Sequence, residues 1–235
     1  MESIFERSEL LLGKGASDIL STKKVAVIGV GGVGGYVVEG LTRSGVGSFF
    51  LLDSDKVNPS NINRQIIALH SNVGKYKTHV LKERMLDINP NVIVETSEIF
   101  YLPKSANVDF SNFDMVVDCI DTVSAKLDIA KKCYDLNVPL ISSMGTGNKF
   151  NPLAFEITDI NKTSVCPLAK VMRRELKKMG VPKLTVLYSK EEPKKAPPII
   201  DENGVEKRAQ TGSLPYVPSV AGLVIASYVV KELLK

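Results

Sequence analysis

Residues 29–35 read Gly29-Val30-Gly31-Gly32-Val33-Gly34-Gly35 and follow the apolar run Lys24-Val25-Ala26-Val27-Ile28. A glycine turn between a strand and a helix leaves backbone amides bare, and the helix N-terminus adds positive partial charge. Such a turn cradles phosphate. Asp53 ends the next strand, where an acid commonly reaches a ribose hydroxyl. On these features alone a nicotinamide-dependent dehydrogenase is the default reading. The polar stretch Asp55…Asn58…Asn61…Arg64-Gln65, followed by Lys77, shifts the balance, because a dehydrogenase has no use for it. Arginine donates to phosphate oxygens through a planar fork and lysine as a point charge, while Asn61 could bridge ribose and phosphate. Asp121 follows a strand at the carboxyl edge where open sheets bind ligands, and a carboxylate there could hold Mg²⁺ beside a triphosphate. It equally suits a helix N-cap, since Asp121-Thr122 precedes a helical pattern. Taken singly, Arg64 and Lys77 also read as solvated surface charges.

These residues need a framework that brings several strand ends to one edge. Apolar runs and turn signals predict strands over 24–29, 48–53, 91–98, 114–119 and 139–143, alternating with helices over 32–44, 75–88 and 125–136. That alternation predicts a doubly wound, mainly parallel α/β sheet of Rossmann-like type. The second half adds a C-terminal extension: strands over 155–159 and 184–189 around a basic helix over 167–179. Residues 190–212 are loaded with Lys, Glu, Pro, Gly and Asp and read as an exposed, mobile loop. Pro218 opens an apolar helix through 234, whose Ala221, Gly222, Ala226 and Ser227 permit close packing. The whole, 1–235, reads as one domain.

With 44% hydrophobic and 24% charged residues in 235, the chain can bury a full core. A formal charge of +4 suits an anionic partner without requiring one. Three cysteines, Cys119, Cys133 and Cys166, include no C-x-x-C pair, which argues against a disulfide framework and against zinc. No basic segment followed by an apolar one opens the chain. The longest apolar stretch, 217–230, is interrupted by Pro218, Ser219 and Ser227 and reads as too short to span a bilayer. A cytoplasmic globular protein is expected.

The set Gly29-x-Gly31-Gly32-x-Gly34, Asp53-x-Asp55, Asn61-x-x-Arg64-Gln65, Lys77 and Asp118-x-x-Asp121 resembles the adenylation domain of the ubiquitin-activating type. That resemblance implies ATP as substrate, with Asp53 on the ribose, Asn61, Arg64 and Lys77 on the phosphates, and Asp121 on Mg²⁺. It also implies that Arg7, in Phe5-Glu6-Arg7-Ser8, serves a partner subunit's site, so that the protein is at least a homodimer. Relatives that activate a ubiquitin-like carrier usually bear paired zinc cysteines, which this chain lacks. The segments 158–176, Gly145-x-Gly147-Asn148-Lys149 and Pro215-x-Val217-Pro218-Ser219 instead resemble the tRNA threonylcarbamoyladenosine dehydratase family. This resemblance implies ATP-dependent cyclisation of a modified adenosine beside the anticodon.

The implied chemistry suits the residues. A carboxylate is a poor electrophile until adenylation supplies a leaving group, and the neighbouring carbamoyl can then close onto the carbonyl by proximity. Positive charge from Arg64 and Lys77 would do most of the work. Cys166 is the candidate thiol if chemistry or sulfur relay needs one, since Lys162, Lys170 and Arg173 lie nearby in sequence. A cysteine-desulfurase-linked sulfur donor would then be a partner. A buried cysteine acting as a small hydrophobe is its bland reading. Lys170, Arg173, Arg174 and Lys177 form a basic helix face that would meet tRNA phosphates, and no DNA partner is expected. The runner-up function is adenylation of a ubiquitin-like sulfur carrier.

Overall fold

Successive residues of β1 (Lys24–Ile28) face opposite sides, and both sets are apolar: Val25 and Val27 join one buried cluster, Ala26 and Ile28 another. A strand buried on both faces needs helices above and below it, which a parallel βαβ sheet supplies. The computed structural model, which describes residues 4–103, 107–194, 199–200, 206–207 and 211–235, contains that sheet. Its other strands are β2 (Ser48–Leu52), β3 (Ile93–Ser97), β4 (Met115–Asp118), β5 (Leu140–Ser143), β6 (Phe155–Asp159) and β7 (Thr185–Ser189). They run in the order β3-β2-β1-β4-β5-β7-β6, with every neighbour parallel except β6 against β7. The expected doubly wound, mainly parallel sheet is therefore what forms.

Helices α1 (Glu6–Leu12) and α2 (Ala16–Ser21) precede the sheet. Then α3 (Gly34–Ser44), α4 (Lys77–Ile88) and α7 (Tyr216–Leu233) cover one face, sharing a cluster with Val25, Val27, Phe49 and Leu51. On the other face α5 (Val123–Leu136) sets Ala125, Ile129 and Cys133 against Ala26, Ile28 and Val116. Next to it, α6 (Pro167–Lys178) buries Ala169, Met172 and Leu176 beside Val186 and Tyr188.

The elements depart from expectation at their ends. Helix α3 begins at Gly34 rather than 32, leaving Gly31 and Gly32 in the turn. Helix α4 begins at Lys77 rather than 75, because the Val57 amide donates to the Lys75 carbonyl and Tyr76 bridges Lys56 in antiparallel sense. Helix α7 starts before Pro218, which takes an early position where its missing N–H costs nothing. At 18 residues α7 is long and apolar enough to cross a membrane by length and composition, against the expectation of too short a stretch. Its Val217, Ala221, Ile225, Val229 and Leu233 recur every four residues and are buried. A Cβ on Gly222 would stand 2.5 Å from the Val33 carbonyl oxygen, so α7 is seated directly on α3 as a core helix.

Much of the expected 190–212 loop (195–198, 201–205 and 208–210) lies outside the described residues. The described part is tied down: Lys190 pairs with Glu156, and the Lys194 ammonium lies 4.7 Å from the Phe150 ring centroid. Strands β8 (Ile199–Ile200) and β9 (Glu206–Lys207) pair antiparallel.

One buried charge joins the helices over the first face. Glu39 on α3 accepts from Arg84 Nε at 2.7 Å, Arg84 Nη2 at 2.9 Å and Arg43 Nε at 2.7 Å. Burial pushes the Glu39 carboxyl upward, but the hydrogen bonds from Arg84 and Arg43 outweigh it and hold the group below its ordinary value of 4.5. A depressed carboxylate stabilises the fold above its unfolded-state pKa and loses that contribution as pH falls through the folded value. Glu39→Gln should cost roughly 1–3 kcal/mol at neutral pH. In urea unfolding series, the gap from wild type should close progressively below pH 4.5; a gap constant with pH would dissociate Glu39 from acid stability.

Candidate active site

The order of strands reverses between β1 and β4, which leaves a crevice beyond their carboxyl ends. A cavity of about 540 Å³ occupies it, within the range of small-molecule sites. Its floor is the glycine turn. Gly29 follows β1 with φ 87°, and a Cβ on Gly34 would stand 1.9 Å from the Gly29 carbonyl oxygen. No side chain fits there, so the first turn of α3 abuts the strand end, and Gly31 and Gly32 line the cavity. Asp53, at the end of β2, braces this turn: Oδ2 accepts from the Val30 amide at 2.8 Å and Oδ1 from the Asp55 amide at 2.9 Å.

The segment after β2 builds the next wall. Asn58 and Asn61 cap one another's 3-10 turn (Pro59–Asn61). Asn61 Oδ1 accepts from the Asn58 amide at 3.0 Å, and Asn58 Oδ1 from Ser60 N at 3.0 Å. Arg64 Nη1 donates to the Ser60 carbonyl and to Asn63 Oδ1, both at 2.8 Å, and the side chain lines the cavity. Gln65 is buried at the same wall, its Oε1 unpaired among the described residues. Lys77 is no solvated lysine. It is 5% exposed and sits 2.7 Å from Asp55 Oδ2, a carboxylate that is itself 65% exposed. An ammonium with three donors and one carboxylate partner retains capacity for an oxygen in the cavity.

Across the cavity, the loop after β4 carries Asp121. The N-cap of α5 is Thr122, whose side chain makes no cap bond, so the capping alternative for Asp121 falls away. Asp121 is exposed, lines the cavity and makes no hydrogen bond or ion pair among the described residues. With Asp53 engaged through both oxygens and Asp55 through Oδ2, Asp121 is the cavity carboxylate whose two oxygens are both free among the described residues. Magnesium asks for little more, since it keeps waters and takes phosphate oxygens alongside one or two carboxylates. The donor set therefore fits Mg²⁺ in company with a triphosphate.

Other walls were not anticipated. After β5, Ser143 to Gly147 border the cavity, and after β3 so do Ile99, Phe100 and Tyr101. Thr211 and Ser213 close it from the far side of the sequence. Asn148 holds them: Oδ1 accepts from the Gly212 amide at 2.7 Å, and its own amide donates to the Gly212 carbonyl at 2.8 Å. Asn63 Nδ2 adds a bond to the Ser213 carbonyl at 3.0 Å. The polar run Gly145-x-Gly147-Asn148 was the available signal, but nothing in one dimension puts Gly212 beside it. Lys149 is buried and donates to the Glu191 carbonyl; burial lowers its ammonium pKa.

Several expected residues lie elsewhere. Cys166 is buried at the N-cap of α6, in a cluster with Met144 and Met172, and does not border the cavity. Cys119 does border it, but burial and then the Asp118 carboxylate push its thiol up to about 12, leaving it protonated at neutral pH. On the basic helix Lys170, Arg174 and Lys177 are exposed, with Arg174 paired to Glu175 at 2.6 Å. Arg173 is the correction: its Nη1 turns inward to Thr163 Oγ1 at 2.6 Å and the Thr163 carbonyl at 3.1 Å. It fastens the 3-10 turn (Ile160–Lys162) to α6 through Nη1 and is half-buried, unlike its three exposed neighbours. Arg7 is exposed on α1 and does not line the cavity of its own chain.

Comparison with known proteins agrees with this geometry. The profile of the ThiF family matches residues 5–235. A tRNA threonylcarbamoyladenosine dehydratase of Bacillus subtilis is 42% identical over 245 residues, covering 98% of this chain and 94% of that protein. The Escherichia coli protein of the same name is 37% identical over 168 residues, covering 71% of this chain and 63% of that one. The solved structure of the E. coli tRNA N6-threonylcarbamoyladenosine dehydratase TcdA in complex with ATP superimposes with a TM-score of 0.84. Its sequence identity is 28%, and the match covers 97% of this chain and 93% of that one. With its glycine turn, Lys77 and Asp121 gathered at one switch point, and matched from residue 5 to its end, the chain belongs to the ThiF family.

Proposed function

We propose that this chain is an ATP-dependent tRNA threonylcarbamoyladenosine dehydratase, acting on its tRNA in the cytoplasm. The observation that carries the reading is the cavity itself. A glycine turn, a nearly buried Lys77, Arg64 and an unpaired Asp121 converge on one volume, in a chain 42% identical to a dehydratase of that name.

ATP lies with its phosphates toward the glycine turn, where Arg64 and Lys77 donate to phosphate oxygens. Asp53 faces the ribose while bracing Val30, and Asn61 and Gln65 border the same wall. Asp121 would hold Mg²⁺, which when bound offsets negative charge on the triphosphate. A carboxylate oxygen of the threonyl group attacks the α-phosphorus, the bond to the β-phosphate oxygen breaks, and pyrophosphate leaves. The carbamoyl group then closes onto the activated carbonyl, and AMP departs as a proton is lost. Both reacting groups belong to one substituent, so the second step draws its rate from proximity. No enzymic nucleophile is needed, which agrees with a protonated Cys119 and a Cys166 buried behind the cavity wall. Neither step transfers sulfur, so a cysteine-desulfurase-linked donor, if it is a partner, acts outside these two steps.

The active unit is a homodimer in which Arg7 of each chain completes the other chain's site. In support, Arg7 does not border the cavity of its own chain, and α1 exposes Leu10 at 81% and Leu11 at 90%. Transfer RNA lies along α6, where Lys170, Arg174 and Lys177 offer phosphate contacts.

Incubation with ATP, Mg²⁺ and tRNA bearing threonylcarbamoyladenosine should form AMP and pyrophosphate and yield a nucleoside lighter by one water on mass analysis. ADP as the product would sink the reading. Lys77→Met should weaken ATP binding by about tenfold to a hundredfold, the worth of one charge-assisted hydrogen bond, while Asp121→Ala should abolish turnover with the fold intact. Arg7→Ala and Asp121→Ala, each inactive alone, should regain activity when mixed and allowed to exchange subunits, because one site in the mixed dimer is then whole. Continued inactivity of the mixture would return Arg7 to an ordinary surface residue. Replacing Lys170, Arg174 and Lys177 with Ala should reduce the salt dependence of tRNA binding by a slope of roughly three, leaving ATP affinity unchanged. An unaltered slope would mark that face as merely solvated.

A further inference from the structure

Beneath the loop that carries Asp121 lies a closed ion pair. Lys126 on α5 and Asp118 at the end of β4 are both 0% exposed, with Nζ 2.8 Å from Oδ2. Asp118 Oδ2 also accepts from Ser142 Oγ at 2.6 Å. The pair grips a single residue of the loop at both ends: Asp118 Oδ1 accepts from the Ile120 amide at 3.2 Å, and Lys126 Nζ donates to the Ile120 carbonyl at 2.9 Å. Asp121 is the next residue. The Ile120 side chain reaches to within 2.9 Å of where a Cβ on Gly29 would lie, so the same residue is wedged against the glycine turn.

Stability alone does not account for such a pair. Two charges removed from water are commonly matched or bettered by well-packed apolar side chains of similar volume. An apolar residue at 126 would, however, leave the Ile120 carbonyl without a donor and the residue before Asp121 held at its amide end only. We infer that Lys126 is a positioning residue: by holding the Ile120 carbonyl it aims the Asp121 carboxylate at the cation and triphosphate in the cavity. This rests on the assignment of Asp121 made above. Outer partners that orient a ligand in this way are commonly worth 10–100-fold in metal affinity or activity.

The test separates the charge pair from the tether. Lys126→Met alone leaves Asp118 buried and unpaired and should lower Tm as well as turnover. Asp118→Asn/Lys126→Met removes both charges, lets the Asn oxygen accept from the Ile120 amide while its Nδ2 donates to Ser142 Oγ, and should bring Tm back toward wild type. Its half-saturating Mg²⁺ concentration in ATP binding and in AMP formation should nevertheless stay raised about tenfold. ATP binding in EDTA should match wild type. Wild-type Mg²⁺ dependence in a stable double variant would overturn the inference and leave the pair purely structural. Should the double variant not regain stability, Ser142→Ala decides, since it loosens Asp118 without touching the Ile120 carbonyl. Unchanged Mg²⁺ dependence there supports the inference, and a tenfold rise overturns it. If instead wild type and Asp121→Ala show the same Mg²⁺ dependence, the failure lies with Asp121 and not with Lys126.

Discussion

The rest of the site depends on one contact made without a side chain. Where β1 ends, the Gly29 carbonyl oxygen lies so near Gly34 that a Cβ there would stand 1.9 Å away. The helix can therefore begin flush against the strand end, with its amide donors at the crevice where the strand order reverses. Asp53 fixes the turn from β2, and Ile120 fixes it from the loop after β4. Neighbouring strands thus each contribute one clamp to the same glycine segment. Helix α7 seals its outer side: a Cβ on Gly222 would collide with the Val33 carbonyl oxygen.

Two lysines show how burial sorts like residues into unlike roles. Lys77 is 5% exposed, but its partner Asp55 is 65% exposed and stands at the cavity. That pair is open to competition from an incoming anion. Lys126 and Asp118 are sealed from solvent: both carboxylate oxygens accept bonds, and the ammonium donates to Asp118 and to the Ile120 carbonyl. One lysine is available to a ligand; the other shapes the wall the ligand meets. Asp121, unpaired at the edge of that wall, differs in turn from Asp53, whose two oxygens accept from amides, and from Asp55, whose Oδ2 is held by Lys77.

Local patterns foretold most of the framework and failed where long-range contacts decide. The period-two and helical patterns placed β1, β2, β4, β5 and the helices between them to within a residue or two. The start of α4 was misplaced because residues 75 and 76 are tied to Lys56 and Val57, a contact no window of sequence contains. Arg173 looked like part of a basic face, yet the helix turns it toward Thr163, because the neighbouring 3-10 turn supplies carbonyls that need a donor. Lys126 is barely legible as a site residue in the sequence. Its only signal is a lysine beside the apolar stripe of Ala125, Ile129 and Cys133.

By itself the sequence determined which chemistry was affordable: a turn with no side chains, donors for phosphate, a carboxylate after a core strand, and no paired cysteines for zinc. Those are properties of residue type and spacing, and they hold wherever the chain goes. Only the tertiary structure decided that Asp121 is free while Asp53 is engaged, that Lys77 is buried at the cavity and Cys166 buried outside its lining, and that Gly212 is held beside Asn148. The physical reason is that hydrogen-bond partners and burial are set by residues far apart in the chain. A carboxylate or an ammonium acquires its role only when the fold settles what else competes for it.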